Sequence, residues 1–212
     1  MLQRIRVVMD WAKSSGFRTS NNPVDGLTEV LPRHISQKQQ MAAMPYEQVA
    51  AFVKMAAEQA VGQTSPTLAL EFLILTAART IEVLGARWEE FDFENRVWTI
   101  PKVRMKAARE HRVPLSGRSL KILIEARRLD AGSLQVFPGY RSRKPLSNMA
   151  ILKRLRQMKV AFTVHGFRSA FRDWASERTN FSRVVCEMAL AHTIKSKAEA
   201  AYPRHVRTAL RA

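Results

Sequence analysis

The sequence is poor in cysteine and glycine and contains no long apolar run. Its single cysteine, Cys186, excludes a disulfide scaffold and a cysteine-rich metal site and is typical of a reducing compartment, so we expect a cytoplasmic protein. No apolar stretch approaches the roughly 18–20 residues of a membrane span, so we expect no membrane partner. The eight glycines are too scattered for a phosphate-binding loop, and no residues have metal-ligand spacing. We therefore expect no metal or other cofactor.

Charge is strongly unbalanced, with 35 Lys and Arg residues against 18 Asp and Glu residues and a formal net charge of +17. Most of the excess lies late in the chain, because residues 131–212 carry 16 basic and 4 acidic residues. Between Arg141 and Arg172 there are nine basic residues and no acidic one, yet apolar residues keep helical spacing there. A folded segment with such self-repulsion favours a nucleic-acid partner. The alternative is a solvated basic face that aids solubility.

The hydrophobic pattern divides the chain into three segments. Helical spacing over residues 3–15 predicts an amphipathic helix, so we assign residues 1–16 to a terminal helix. Residues 17–44, in which Ser, Asn, Pro and Gly recur, are assigned to a linker, and residues 45–212 to the main domain. The terminal helix cannot bury its apolar stripe alone, so it is either the end of an upstream domain or a packing element of the main domain. The stripe consists of Ile5, Val8, Met9 and Ala12.

The main domain is predicted to be mainly α with a small antiparallel β-sheet, an α+β fold. Residues 88–115 have the pattern of short strands, whereas apolar residues on either side recur at helical spacing. Helices are predicted to begin near Pro45, Ser65 and Arg79, and to cover residues 117–130, 147–158, 165–178, 181–191 and 195–202.

Two pairs of polar residues are spaced to share one face of a helical turn: Arg79 with Glu82, and His165 with Arg168. Taken alone, the first is typical of an ordinary ion pair and the second of a capping histidine beside a surface arginine. Arg79, however, directly follows an apolar run, and an arginine there needs a carboxylate partner or an anionic ligand. The second pair would suit the binding of one phosphate by an imidazole and a guanidinium.

Three further residues are single candidates for chemistry. Lys106 lies between the two strand regions, at a hairpin tip, where basic residues are usually solvated or follow a nucleic-acid groove. A lysine there could also act as a proton donor. His192 and Tyr202, taken singly, are more typical of core or interface residues.

The order of these residues is more specific than any one of them. It resembles the catalytic domain of tyrosine recombinases, the phage and prophage integrases, in which Arg, an acidic residue, a hairpin Lys, His-x-x-Arg, His or Trp, and Tyr follow one another. The similarity covers roughly residues 45–205. The matching segments are Ala78–Leu84, Ala86–Trp88, Trp98–Ser116, His165–Arg168, Asp173–Ala175, Leu190–His192 and Glu199–Tyr202.

The resemblance implies a site-specific recombinase that cleaves and rejoins DNA without metal or ATP. Tyr202 would attack a phosphodiester and form a 3′-phosphotyrosine with release of a 5′-hydroxyl. Lys106 would protonate the departing oxygen, and His165 would accept the tyrosine proton. Because Pro203 follows Tyr202, we expect the nucleophile at the end of a helix.

The remaining residues of the resemblance would bind the phosphate. Arg79 and Arg168 would clamp its oxygens, with a further hydrogen bond from His192, and Glu82 would orient the set. We expect further DNA contacts from the basic residues Arg104, Arg141, Arg143, Lys144, Lys153 and Arg154.

The implied partner is double-stranded DNA at attachment sites, bound by a tetramer of the full-length protein, whereas a fragment would be a monomer. The chain is short at both ends relative to the family, so we expect a catalytic domain without the rest of its DNA clamp. Two alternatives remain open. A type IB topoisomerase shares the residue set, although the Leu-Ala-His and Glu-Ala-Ala-Tyr contexts favour an integrase. A truncated, non-catalytic DNA-binding remnant would keep the basic face alone.

Overall fold

A computed structural model describes residues 2–27, 42–58, 64–129, 132–139 and 144–192. Residue contacts divide the chain into two compact units, Met1–Gln40 and Met41–Ala212. None of the helices within the described ranges is long and apolar enough to cross a membrane.

The first unit begins with helix α1 (Leu2–Ser14), within one residue of the predicted bounds. Gly16, with a φ of +78°, follows its end, in a left-handed conformation that favours glycine. No residue of α1 is buried, and Ile5 and Val8 of the predicted apolar stripe are exposed.

The segment after α1, predicted to begin a linker, folds back on this helix. The side-chain amide of Asn22 donates to the Arg6 carbonyl (3.0 Å) and to Oδ1 of Asp10 (2.7 Å). Asn22 also accepts a hydrogen bond from the backbone N–H of Val24, and both residues are buried. Such side-chain bonds to nearby backbone give order that hydrophobic periodicity does not detect.

The second unit is mainly helical with one small antiparallel sheet, which confirms the predicted fold class. Its strands lie in the order β1-β2-β3, and Trp98 of β2 pairs with Val113 of β3. Residues 88–90 and 102–104, expected within the sheet region, form short 3-10 helices. The helix predicted over residues 195–202 lies outside the described residues. The elements are α2 (Tyr46–Glu58), α3 (Ser65–Thr76), α4 (Thr80–Leu84), β1 (Phe91–Asp92), β2 (Val97–Ile100), β3 (His111–Pro114), α5 (Gly117–Leu129), α6 (Asn148–Gln157), α7 (Gly166–Arg178) and α8 (Arg183–Ala189).

Helix α3 is the central element of this unit. It packs against α2, α4, α5 and α6, and eight of its 12 residues are buried. The Phe72 ring of α3 contacts the ring of Trp98 in β2 (5.5 Å between centroids) and the ring of Phe137 (5.6 Å). These aromatic contacts join the helices to the sheet in one core. Leu75, near the end of α3, is exposed.

The start of α7 is fixed by a close backbone contact. The carbonyl of Ala42 accepts a hydrogen bond from the backbone N–H of Thr163 (3.1 Å). A Cβ atom on Gly166 would lie 2.4 Å from that same carbonyl oxygen, so this position requires glycine. The turn that carries His165 and Arg168 is therefore held against the segment that leads into α2.

Candidate active site

Arg79 lies immediately before α4 and is held by the carboxylate of Glu82. Its backbone N–H donates to Oε2 of Glu82 (2.7 Å) and its Nη1 to Oε1 (2.7 Å), while Glu82 is only 2% exposed. The other guanidinium nitrogen, Nη2, donates to the carbonyl of Ala191 (3.1 Å). Arg79 is thereby fixed between α4 and the turn that follows α8.

Arg168, in the first turn of α7, is a buried cation held by carbonyl oxygens. Its Nη1 donates to the carbonyl of Ala77 and its Nη2 to the carbonyl of Leu190 (2.6 Å). Burial and then the charge of Arg79 lower the pKa of Arg168 to about 10, so it stays charged at neutral pH. Among the described residues no carboxylate lies within ion-pair distance of it. A buried charge without a counterion favours an anionic ligand.

His192 completes a hydrogen-bonded chain with these arginines. Its Nε2 lies 3.3 Å from Nη2 of Arg168, and its Nδ1 lies 2.5 Å from Oε2 of Glu187. Sequence reasoning did not select Glu187. A signal was present, because Glu187 is one of only four acidic residues in the basic stretch 131–212.

An open cleft of about 450 Å³ brings three of the predicted residues together. Lys106 reaches it from the segment between β2 and β3, Arg79 from the start of α4, and His192 from the turn after α8. The cleft thus collects three cationic or ionisable groups from distant parts of the chain. Its lining residues are Arg79, Lys106, Ala107, Glu187, Ala191 and His192.

His165 lies just before α7 with an exposed side chain. Partial desolvation of the ring by its neighbours lowers its pKa below the ordinary value, and the charges of Arg168, Arg79 and His192 lower it further. The ring is therefore neutral at about pH 7, the state in which an imidazole accepts a proton.

A second histidine, His111, lies close to the same charges and was not selected from the sequence. It opens strand β3, is partly buried, and forms a hydrogen bond with the backbone of Ala189. The one signal in the sequence is its position. His111 lies at the start of a strand, within the segment Trp98–Ser116 that resembles the family and that also contains Lys106.

The residues predicted to contact DNA differ in their surroundings. Nη1 of Arg104 donates to the carboxylate of Glu90 and Nη2 to the carbonyl of Glu82. Nη2 of Arg154 donates to the carbonyl of Ala56 (3.2 Å). Both guanidinium groups thus have partners within the fold, and contact of Arg104 and Arg154 with DNA stays a prediction.

The other predicted positions are exposed or not described. Lys144 and Lys153 are exposed. Tyr202, Arg141 and Arg143 lie outside the described residues. Within the described ranges, no group of three or more His, Cys, Asp or Glu residues is arranged to hold a metal ion.

Known sequences place the chain in a family. The model of the phage integrase family matches residues 43–207. Prophage integrase IntZ of Escherichia coli K12 is 39% identical over 156 residues, which are 73% of this chain and 38% of IntZ. Prophage integrase IntA of the same strain is 30% identical over 210 residues, which are 96% of this chain and 49% of IntA. The chain spans about half or less of the length of these curated relatives.

Solved structures agree in fold. A lambda integrase dimer bound to a COC′ core site matches with a TM-score of 0.63 at 15% identity, over 95% of this chain and 57% of that one. A lambda integrase tetramer bound to a Holliday junction matches with a TM-score of 0.64 at 15% identity, over 92% of this chain and 58% of that one. The chain belongs to the phage integrase family, and its fold is that of a tyrosine recombinase catalytic domain.

Proposed function

We propose that the protein is the catalytic part of a site-specific DNA recombinase that cleaves and rejoins DNA through a 3′-phosphotyrosine, without metal or ATP. The observation that carries this proposal is a pair of fixed guanidinium groups: Arg79 lines the cleft, and Arg168 is held by backbone carbonyls beside His192, which also lines the cleft. One of them, Arg168, has no carboxylate partner among the described residues. Family membership supports the same reaction class.

The guanidinium groups would stabilise the charge that develops on the phosphate. Arg79 and Arg168 bind non-bridging oxygens as the phosphorus becomes five-coordinate. When the ring of His192 is protonated, its Nε2 donates a further hydrogen bond to the phosphate. Because both arginines are already held in place, little reorganisation is needed when charge develops.

The covalent step exchanges one ester for another. Oη of Tyr202 attacks phosphorus and forms the phosphotyrosine bond as the bond from phosphorus to the 5′-oxygen breaks. The tyrosine proton passes to the neutral ring of His165, and Lys106 supplies a proton to the 5′-oxygen. The bond energy stays in the phosphotyrosine, so a 5′-hydroxyl of another strand can reverse the step without ATP.

The proposed partner is double-stranded DNA at attachment sites in the bacterial cytoplasm, bound by a tetramer of the full-length protein. Lambda integrase has been solved as a dimer on a core site and as a tetramer on a Holliday junction. Recombination of paired sites would support this assembly. Relaxation of supercoiled DNA without recombination would instead favour a topoisomerase-like activity.

A suicide substrate tests the nucleophile. On nicked DNA that traps the covalent product, the unaltered chain should form an adduct, and Tyr202→Phe should form none while binding DNA with unchanged affinity. Tyr46→Phe is the matched control, because Tyr46 is a half-buried residue of α2 that does not line the cleft and whose hydroxyl donates to Oε2 of Glu177 (3.0 Å). An adduct with Tyr202→Phe overturns the nucleophile, and none with the unaltered chain indicates a non-catalytic DNA-binding remnant.

A modified leaving group tests the proton donor. Lys106→Ala should cleave an ordinary phosphodiester poorly but recover on a 5′-bridging phosphorothiolate, because a thiolate leaves without a proton. Arg79→Ala should stay impaired on both substrates, since its role is to bind the phosphate. Failure of the sulfur substrate to rescue Lys106→Ala removes the lysine from this role.

A further inference from the structure

We infer that Glu187 is a positioning residue that fixes the tautomer of His192 and directs its Nε2 toward the phosphate-binding arginines. This inference rests on the proposed function and adds to it a residue outside the resemblance set. Glu187 lies on α8 and lines the same cleft as Arg79, Lys106 and His192.

The end of α8 holds the two side chains together. The backbone N–H of His192 donates to the Glu187 carbonyl (2.9 Å), and that of Ala191 donates to the Met188 carbonyl (3.0 Å). Ala191 is left-handed, with a φ of +50°. These features define a Schellman motif, in which the residues at the positions of Glu187 and His192 commonly make an apolar contact. Here the contact is a carboxylate–imidazole hydrogen bond instead.

The two partners of His192 define one tautomer of the neutral ring. A carboxylate only accepts hydrogen bonds, so Nδ1 must carry the hydrogen that is donated to Glu187. A guanidinium only donates, so Nε2 accepts from Arg168. The imidazole is thus oriented with Nδ1 toward α8 and Nε2 toward the arginine.

The same arrangement determines where an additional proton is placed. Because Glu187 keeps the hydrogen on Nδ1, a proton gained by the ring goes to Nε2. Nε2 then no longer accepts from Arg168 and can donate to a phosphate oxygen bound beside it. The charged groups that face His192 are Glu187 on the preceding helix α8, Arg168 on α7 and Arg79 just before α4, with His165 and Lys106 nearby. Of these, only Glu187 carries a negative charge.

The test combines a spectroscopic and a kinetic measurement on the full chain. Side-chain 15N NMR of His192, assigned by comparison with His192→Asn, should show a hydrogen on Nδ1 in the unaltered protein. Glu187→Ala should shift the ring toward the Nε2–H tautomer. It should also slow adduct formation on the nicked substrate about 10–100-fold, by analogy with the loss of a carboxylate that orients a metal-ligating histidine. DNA affinity should not change.

Two variants separate positioning from folding. Glu187→Gln keeps an acceptor oxygen and nearly the same shape, so it should retain more Nδ1–H tautomer and more activity than Glu187→Ala. Glu89→Gln is the matched control, because Glu89 is exposed and pairs only with exposed Arg87 among the described residues. Glu89→Gln should leave both the tautomer of His192 and the rate of adduct formation unchanged.

Several results would overturn the inference. An unchanged tautomer in Glu187→Ala shows that the carboxylate does not orient the ring. A changed tautomer with an unchanged rate shows that the orientation has no role in cleavage. If the unaltered chain forms no adduct, the proposed function fails, but the NMR measurement still decides whether Glu187 positions His192.

Discussion

At the scale of single residues, two alanines adopt left-handed backbone conformations where the arginines are anchored. Ala77 has a φ of +48° and its carbonyl accepts from Arg168, while Ala191 has a φ of +50° and its carbonyl accepts from Arg79. This conformation costs an L-residue roughly 1–2 kcal/mol. The strain persists because the two turns place their carbonyl oxygens within hydrogen-bond distance of the two guanidinium groups. Strained residues commonly cluster at functional sites in this way.

Replacing Ala191 with glycine should therefore stabilise the fold. The change removes the left-handed strain but adds flexibility to the unfolded chain, so the expected gain is about 0.5–1 kcal/mol in the free energy of unfolding. Urea denaturation measures it. Ala51→Gly, at an exposed position inside α2, should instead lose about 1 kcal/mol. Equal losses in the two variants would contradict the role of the left-handed conformation.

The protonation of His111 should make stability depend on pH. Burial lowers its pKa below the ordinary value, Arg168 and Arg79 lower it further, and Glu82 and the bond to Ala189 oppose them. In the unfolded chain a histidine has a pKa of about 6.5. As the pH falls below that value, the unfolded state binds more protons than the folded state, so stability is lost.

His111→Gln should flatten this dependence. Between about pH 7 and pH 5 the free energy of unfolding should fall less steeply for the variant than for the unaltered chain, since the titrating group is gone. Unfolding curves at several pH values measure the slope. His165→Gln should change it less, because His165 is exposed. Parallel slopes for His111→Gln and the unaltered chain would contradict the assignment.

At the scale of elements, periodicity predicts the helices and strands well but does not predict their polar contacts. Residues 165–178 and 117–130 were expected as helices, and α7 and α5 match them within one residue. The pairing of Glu187 with His192 depends on a left-handed turn at Ala191, where the sequence has no glycine to indicate it. Because the surrounding structure imposes this turn, the local sequence pattern does not predict it.

The hairpin between β2 and β3 shows the same limit. Arg104 and Lys106 are both basic residues of this segment, and a sequence pattern cannot tell their roles apart. Arg104 is bound to Glu90, whose carboxylate also accepts from Nε1 of Trp98 (2.9 Å). Lys106 is exposed and lines the cleft. The two residues differ because Arg104 pairs with a buried carboxylate, that of Glu90, which lies eight residues before Trp98. Burial depends on the tertiary structure, so the sequence pattern does not predict this pairing.

Removing Arg104 should destabilise the sheet and its link to α4. Arg104→Ala leaves the buried carboxylate of Glu90 without its cation and the Glu82 carbonyl without a donor, so we expect a loss of about 3–5 kcal/mol in the free energy of unfolding. Arg109→Ala, an exposed position of the same hairpin, should change stability by less than about 0.5 kcal/mol. Chemical denaturation compares them, and equal small effects would contradict this structural role and favour the predicted DNA contact of Arg104.

At the scale of the whole molecule, the positive charge divides into two classes. Some cations are fixed by partners within the fold, such as buried Arg168 by carbonyls and half-buried Arg118 by two bonds to Glu71 (2.6 and 2.7 Å). Others, such as Lys144 and Lys153, are exposed. Outside the proposed active site, it is the second class that can exchange condensed counterions for contact with DNA phosphates, so the net charge of +17 overstates the electrostatic part of binding.

The salt dependence of DNA affinity should distinguish the two classes. Each phosphate contact contributes about 0.9 to the slope of log affinity against log salt concentration. Lys144→Gln and Lys153→Gln should each lower that slope by up to this amount and weaken binding to unrelated sequences alike. Arg154→Gln should keep the slope and lose stability instead, because its guanidinium donates to the Ala56 carbonyl. Fluorescence anisotropy over a range of salt concentrations measures the slopes. A reduced slope with unchanged stability for Arg154→Gln would instead support the predicted contact of this residue with DNA.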